Sequence, residues 1–278
     1  MKMKTVQPEP IGASPLTNIP VGGESYQVKL NPEEVSFDMN VTLRKPFGPC
    51  IMNAQLPVPI YKEMVKVTDE ILADKKRVNW GPNLAGQIKE EPHISNELLL
   101  ERDLFGFFNV LTQRYIQEAN ALHGSSGLHE IERRNPEKNI VLNTNITSMW
   151  IVSQYENEYN PVHHHTNSTV SGVMYLNVPK YKKRDIYGKK DLDGNIEFVY
   201  HAAAEDHFSM EQGAFSVQPK EGDIFMFPSY LLHTVYPFLG DGERRSVSFN
   251  VLHTYQPDSE IVEQEESSKK KKTRGKNK

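Results

Sequence analysis

Three consecutive histidines stand directly ahead of a strand-like run in residues 155–179, which read YENEYNPVHHHTNSTVSGVMYLNVP. In residues 169–178, every second residue falls on the same face, so one face can pack while the other lines a cavity. If the extended backbone continues back into the histidines, His163 and His165 point together and His164 points away. The spacing therefore predicts an H-x-H pair that binds one metal ion.

A third histidine and an arginine lie in a second stretch, residues 222–252. Residues 223–227 have the pattern of a strand, Pro228 ends it for want of an N–H, and His233 follows in another short extended segment. After a Gly-Asp-Gly turn, alternation predicts a final strand with one polar face, formed by Arg244, Ser246, Ser248 and Asn250. Three imidazoles from distant strands suit a first-row divalent ion. An arginine beside hydroxyls suits a carboxylate, which a guanidinium can hold through two hydrogen bonds.

At these residues the chain resembles the iron(II)- and 2-oxoglutarate-dependent oxygenases, in particular the prolyl-hydroxylase-like group that is common in bacteria and phages. The resemblance covers roughly residues 143–255, with a looser likeness over residues 46–91. The family pattern is H-x-Asp/Glu, a distant His and Arg-x-Ser, and the residues that match it here are His163, His165, His233, Arg244 and Ser246. The departure is His165, which stands where a carboxylate is usual.

The resemblance implies both a metal site and a co-substrate site. Fe(II) would be held by the three matching histidines, and 2-oxoglutarate by Arg244 with Ser246. Arg244 is preferred to Arg245 because it shares a face with the serines of the last strand. In the group, a Tyr before Leu-Asn contacts the co-substrate, which implies that role for Tyr175 in MYLN. Two further positions of the group are matched by Ser171 and Tyr155.

The implied activity is that of a dioxygenase that couples oxidative decarboxylation of 2-oxoglutarate to hydroxylation of a substrate C–H bond, with O2 consumed and ascorbate left open as an additional reductant. The substrate stays open between a prolyl residue of a protein and a small molecule. A net charge of −4 gives no reason to expect nucleic-acid binding.

Three alternatives stay open. One is a cupin-type dioxygenase with three histidine ligands and no 2-oxoglutarate, which would have no need of an inward arginine at Arg244. Another is a jelly roll without catalysis, acting as a binding or virion-associated protein, which the three histidines and the arginine speak against. A halogenase-like site, in which an exogenous ligand replaces the carboxylate, is the third.

The composition is that of an ordinary globular protein. With 278 residues and 37% hydrophobic content, the chain can bury a sizeable core in one domain or at most two. A lone cysteine, Cys50, excludes an internal disulfide and is interpreted as a small buried apolar residue. There is no apolar run of about 20 residues and no apolar region behind the initial MKMK. These features predict a cytoplasmic protein, in the host cytoplasm if the source is viral.

The elements that position the candidate site follow from periodicity. Helical spacing at residues 61–73 and 94–122 predicts helices that buttress a sheet. Short strands from about residue 139 then predict an α+β fold around a double-sheet barrel. The resemblance implies a cupin-like, double-stranded β-helix (jelly roll). The predicted organisation is an irregular arm at 1–35, a strand and buttressing helices at 36–138, the catalytic core at 139–257, and a disordered charged tail at 258–278.

An insertion interrupts the predicted core at residues 180–221. It is too polar for core, so a β-ribbon at residues 195–200 on an exposed insertion is predicted. Such an insertion serves either as a wall or lid over the substrate or as a solvated decoration. Its histidines, His201 and His207, are interpreted as surface residues.

Overall fold

The computed structural model describes residues 25–30, 37–44, 48–123, 126–184, 191–200 and 213–258. Nearly all of the predicted charged tail, most of the predicted N-terminal arm, and both His201 and His207 lie outside the described residues. In the described part of the chain, no helix has the length and apolar character needed to cross a membrane.

Strands make up most of the described structure. In chain order they are β1 Ser25–Leu30, β2 Phe37–Arg44, β3 Ile51–Gln55, β4 Ile140–Gln154, β5 Asn160–His163, β6 Val170–Asn177, β7 Ile196–Val199, β8 Ala214–Val217, β9 Asp223–Pro228, β10 Leu232–Val235 and β11 Arg244–Pro257. The helices are α1 Val58–Ala73, α2 Asn96–Glu101, α3 Phe105–His123 and α4 Ser126–Arg134, with a 3-10 turn at Gly81–Asn83.

The strands form two antiparallel sheets that face each other. The larger sheet has the order β1-β2-β3-β9-β6-β11-β4, and the smaller has the order β5-β10-β7-β8. From β4 onward the chain alternates between the larger and the smaller sheet, and each crossing adds one strand or, at β7–β8, a hairpin. This winding is that of a double-stranded β-helix, which confirms the predicted fold class.

The helices cover the outer face of the larger sheet. Met64 of α1 and Phe108 of α3 belong to one buried cluster with Met174 of β6 and Phe249 of β11. The Phe249 ring occupies the space beside Gly172 where a Cβ would otherwise lie, so a larger residue there would displace the ring. Alternate residues of β6, Val173 and Tyr175, point the other way, into a second apolar cluster between the two sheets.

The long helical run predicted over 94–122 is divided into α2 and α3. Asp103, between them, has a φ of 56°, which a continuing α-helix does not allow. Ser95 caps α2, since its Oγ accepts a hydrogen bond from the Leu98 N–H at 3.2 Å. The apolar spacing continues through the break, so periodicity alone does not reveal it.

Two further differences from the sequence predictions concern strands. Residues 25–30, within the predicted irregular arm, pair with β2 as strand β1. Residues 196–199, within the predicted exposed ribbon, form β7 inside the smaller sheet, where Phe198 is 0% exposed and pairs with His233. Only two apolar side chains of β7, Ile196 and Phe198, face the interior. Two alternating apolar residues within a polar segment are too few to predict a buried strand from the sequence.

Candidate active site

Strand pairing brings the three predicted metal ligands together. His163 ends β5 and lies directly opposite His233 of β10, while His165 follows two residues after His163. One ring nitrogen of each imidazole lies within 4.8 Å of the others. His164 is exposed to solvent, as alternation requires. The cluster is therefore built by the ends of two neighbouring strands.

Backbone carbonyl groups fix the tautomer of two of these histidines. His163 Nδ1 lies 2.7 Å from the Pro161 carbonyl oxygen, and His233 Nδ1 lies 2.9 Å from that of Leu231. Because a carbonyl oxygen can only accept, Nδ1 carries the proton in both rings. Nε2 is then the nitrogen with a free lone pair, which is the state that a metal ligand requires.

Asn250 does the same for the third histidine. His165 Nδ1 lies 2.6 Å from Asn250 Oδ1, which also accepts a hydrogen bond from the Ser171 hydroxyl at 2.8 Å. The Asn250 amide nitrogen donates in turn to Ser148 Oγ at 3.3 Å. The amide oxygen thus holds His165 in the same tautomer as its two neighbours. The sequence places Asn250 on the polar face of the last strand without indicating this bond.

Burial keeps the three imidazoles neutral. It lowers the pKa of His163, lowers that of His165 to about 4, and lowers that of His233 well below its ordinary value. Neutral imidazoles with their Nε2 lone pairs free fit a first-row divalent ion such as iron(II). Since none of the three ligands is a carboxylate, an ion bound here would keep its full double charge, which favours an anionic co-ligand.

A buried guanidinium with unused donors lies on the same cavity. Arg244 is 1% exposed, and its Nη1 donates to Gln154 Oε1 at 3.0 Å. Its Nε and Nη2 have no hydrogen-bond partner among the described residues, and neither has the buried Tyr175 hydroxyl. The guanidinium carbon lies 4.8 Å from the centroid of the Tyr175 ring. These donors fit a carboxylate, because buried polar groups are seldom left unpaired.

Two tyrosines border this guanidinium. Burial raises the pKa of Tyr175 to about 12 against the opposing effect of Arg244, so its hydroxyl stays protonated and can donate. Burial likewise raises the pKa of Tyr181, and the nearby Arg244 lowers it. The Tyr181 hydroxyl is also buried, with no hydrogen-bond partner in the described part of the chain. Tyr181 follows β6 in a loop and is absent from the sequence prediction, because no local pattern relates it to Arg244.

The remaining predicted co-substrate residues differ in position. Ser246 is buried and lines the cavity beside Arg244, whereas the Ser171 hydroxyl is directed to Asn250. Tyr155 is 48% exposed and does not line the cavity. The structure thus brings Ser246 to the guanidinium and leaves Tyr155 outside.

A single cavity of about 480 Å³ joins the histidine cluster to Arg244. Its walls include several residues that the sequence does not single out, namely Trp80, Leu84, Glu91, Trp150 and Asn160. The Trp150 ring, which lines the cavity, lies 5.6 Å from the His165 ring, so this indole adjoins the histidine cluster. It has the Arg244 guanidinium at one place, the histidine cluster at another, and a further wall that contains neither.

One family model matches part of the chain. Residues 148–250 match a family model described as "Putative 2OG-Fe(II) oxygenase", which spans every residue of the histidine cluster as well as Arg244. No curated protein sequence matches the chain.

Solved structures with a similar chain path include three prolyl hydroxylases. The viral collagen prolyl hydroxylase from Paramecium Bursaria Chlorella virus-1, solved with 2-oxoglutarate, is 12% identical over 72% of this chain and 94% of its own, with a TM-score of 0.41. A Pseudomonas putida prolyl-4-hydroxylase is 15% identical over 72% and 91%, with a TM-score of 0.41. The Trichoplax adhaerens enzyme, in complex with a hypoxia inducible factor peptide, is 14% identical over 74% and 83%, also with a TM-score of 0.41.

Proposed function

We propose that the protein is a hydroxylase of the iron(II)- and 2-oxoglutarate-dependent oxygenase family, whose model matches residues 148–250 of the chain. It would couple the oxidative decarboxylation of 2-oxoglutarate to the hydroxylation of a substrate C–H bond. The observation that carries the proposal is the buried Arg244 guanidinium, whose two unpaired nitrogens share one cavity with three tautomer-locked histidines.

The histidine cluster would hold the iron. His163, His165 and His233 would bind it through Nε2, since each Nδ1 is already bonded to an oxygen. When bound, iron(II) supplies, with 2-oxoglutarate and O2, the oxidant for C–H cleavage. The protein contributes fixed ligands and an apolar surround for His233, against which Phe198 of the smaller sheet and Phe227 of the larger sheet pack.

The arginine end would hold the distal carboxylate of 2-oxoglutarate. Arg244 offers Nε and Nη2, while Gln154 occupies Nη1 and so fixes the rotation of the guanidinium plane. The Tyr175 hydroxyl supplies a further donor at the same end. This arrangement favours a co-substrate with a carboxylate over the cupin-type alternative, which has no use for a buried cation beside the metal.

The fate of labelled dioxygen tests this proposal. With iron(II), 2-oxoglutarate and 18O2, a hydroxylase places one labelled atom in succinate and one in the hydroxylated product, and releases CO2. The candidate substrates are proline-containing peptides and small metabolites, screened by mass spectrometry, with His233→Ala as the inactive control. A product that gains both labelled atoms while 2-oxoglutarate is not consumed would instead identify a cupin-type dioxygenase.

A further inference from the structure

Glu91 is a buried carboxyl group that the proposed chemistry does not use. It is 1% exposed and lines the cavity, and its Oε2 has no hydrogen-bond partner among the described residues. Burial, reinforced by the charge of Glu158, raises its pKa to about 7. A buried acceptor without a donor costs free energy, so an unpaired carboxyl oxygen in a cavity wall indicates that a ligand binds there.

The backbone holds this carboxyl group toward the cavity. The segment before α2 runs along the edge of β4, with bridges from Glu90 to Ser153 and from His93 to Trp150. Alternation along this segment sends Glu90 outward, where it forms an ion pair with Arg77, and sends Glu91 inward. Two adjacent glutamates therefore have opposite environments.

The loop above Glu91 closes one side of its carboxyl group. A Cβ on Gly86 would lie 3.0 Å from Glu91 Oε1 and 2.7 Å from Asn160 Oδ1, so the glycine backbone sits close over both acceptors. Asn160 begins the strand that ends at His163. This wall therefore presents carboxyl and amide oxygens next to the strand that carries the first metal ligand.

The surroundings of Glu91 favour a cation over a neutral donor. Arg244 is the one cationic side chain among the described residues lining the cavity, and it lies on β11, two strand spacings or roughly 10 Å from the Glu91 segment across β4. Two indole rings, those of Trp80 and Trp150, line the same cavity as Glu91. The Trp80 backbone N–H donates to the Glu91 carbonyl oxygen at 2.8 Å, and the Trp80 ring stacks on His93 at 4.3 Å. A carboxylate and indole faces that line one cavity are a favourable environment for a cationic nitrogen.

We propose that Glu91 determines substrate specificity by binding a protonated nitrogen, an ammonium or guanidinium group, with Trp80 and Trp150 contacting the adjoining carbon chain. The inference rests on the proposed function, because Glu91 can determine substrate specificity only if the same cavity also holds iron and 2-oxoglutarate. A chain that extends from Glu91 along the Trp150 indole would approach the histidine cluster, since that indole lies beside His165. The oxidised carbon would then lie several bonds from the cation.

Probe binding in the absence of oxygen tests this assignment. The protein, loaded with iron(II) and 2-oxoglutarate under nitrogen, is titrated calorimetrically with lysine and arginine, and with norleucine and citrulline as uncharged counterparts. Each is offered as the Nα-acetyl amide, in which the side chain alone can carry a charge, and as the central residue of a blocked tripeptide, which separates a small-molecule substrate from a peptide. We expect at least one charged probe to bind about ten-fold or more tightly than its counterpart.

Two isosteric variants locate the preference. Glu91→Gln should remove it, with about a ten- to hundred-fold loss for the charged probe, while Glu90→Gln, next along the chain, should leave it within two-fold. Equal binding of charged and uncharged probes by the wild type, or a preference that survives in Glu91→Gln, would overturn the assignment.

The 2-oxoglutarate titration of the same samples separates this inference from the proposed function. Tight binding of 2-oxoglutarate without any charge preference among the probes would remove the amine site alone. Failure to bind 2-oxoglutarate, together with a charge preference that depends on Glu91, would remove the proposed function and leave the amine site standing.

Discussion

The two ends of the cavity differ in how fully their polar groups are satisfied. At the histidine end, each Nδ1 is bonded to an oxygen of the protein. At the arginine end, two nitrogens of Arg244 and the hydroxyl of Tyr175 are buried without partners in the described structure. The first end is fixed before any ligand arrives, and the second completes its hydrogen bonds only when one does.

The two ends should therefore differ in what supplies the binding free energy of iron(II) and of 2-oxoglutarate. A metal site gains from ligands that are held in one tautomer and orientation, because little is lost in ordering them. A carboxylate site gains from donors that have already lost their water, since a ligand restores bonds whose absence is costly. Iron affinity should therefore depend on fixed geometry, and 2-oxoglutarate affinity on unpaired donors.

Replacing one of the three clustered histidines should have the largest effect, which is on iron binding. We expect His163→Ala and His233→Ala each to abolish iron binding, and His165→Ala to weaken it severely, because each removes one of three Nε2 donors. Elemental analysis of anaerobically loaded protein provides the measurement. His164→Ala is the matched control, since His164 is exposed and points away. Iron content in the His233 variant equal to that of the wild type would show that the cluster is not the metal site.

The two adjacent arginines should differ next most strongly. Arg244→Ala removes a charge-assisted contact worth about 1.5–3 kcal/mol, which corresponds to about a ten- to hundred-fold loss of 2-oxoglutarate affinity. Arg245 lies on the outer face, where Glu243 and Asp69 already neutralise it. Arg245→Ala should change the affinity only a few-fold, as measured by anaerobic calorimetry of the iron-loaded protein. A larger loss in Arg245→Ala than in Arg244→Ala would reverse the assignment.

Asn250 tests whether the fixed tautomer matters. Asn250→Ala leaves His165 Nδ1 without its acceptor, and we expect about a ten- to hundred-fold loss of metal affinity, measured by competition with a chelator. Asn250→Asp keeps an acceptor for both His165 and Ser171 and should retain most of the affinity. Equal losses in the two variants would mean that Asn250 acts through packing and not through this hydrogen bond.

Tyr175→Phe should have the smallest effect. Loss of one neutral hydroxyl donor costs about 0.5–1.5 kcal/mol, which corresponds to roughly a two- to ten-fold loss of 2-oxoglutarate affinity. In the absence of ligand, the same change removes a buried hydroxyl that has no partner, so the melting temperature should be unchanged or higher. A lower melting temperature without ligand would show that the hydroxyl serves the fold.

Local periodicity in the sequence predicts those features of the site that lie within one strand. It predicts that His163 and His165 share a face, and that Arg244 and Arg245 point in opposite directions along the last strand. The fold class is also predicted, because the short strands after residue 139 and the family motif both indicate a double-stranded β-helix. In each case the deciding pattern is contained in a few consecutive residues.

Periodicity does not predict the contacts between segments that are distant in the sequence. Asn250 reaches His165 only because β11 and β6 pair in a particular register, with Asn250 opposite Ser171. Glu91 enters the cavity because its segment lies along the edge of β4, which nothing near it in the sequence specifies. Such positions depend on strand order and register, and so become visible only in the folded chain.

In the proposed active site, one cavity binds iron(II) through three histidines and 2-oxoglutarate beside it. The direct measurement is visible absorption of the iron(II)-loaded wild-type protein under nitrogen as 2-oxoglutarate is added. We expect a weak charge-transfer band that saturates, is absent in His233→Ala, and requires a higher 2-oxoglutarate concentration in Arg244→Ala than in Arg245→Ala. If iron-loaded wild-type protein develops no band at any 2-oxoglutarate concentration, 2-oxoglutarate does not bind the iron in this cavity.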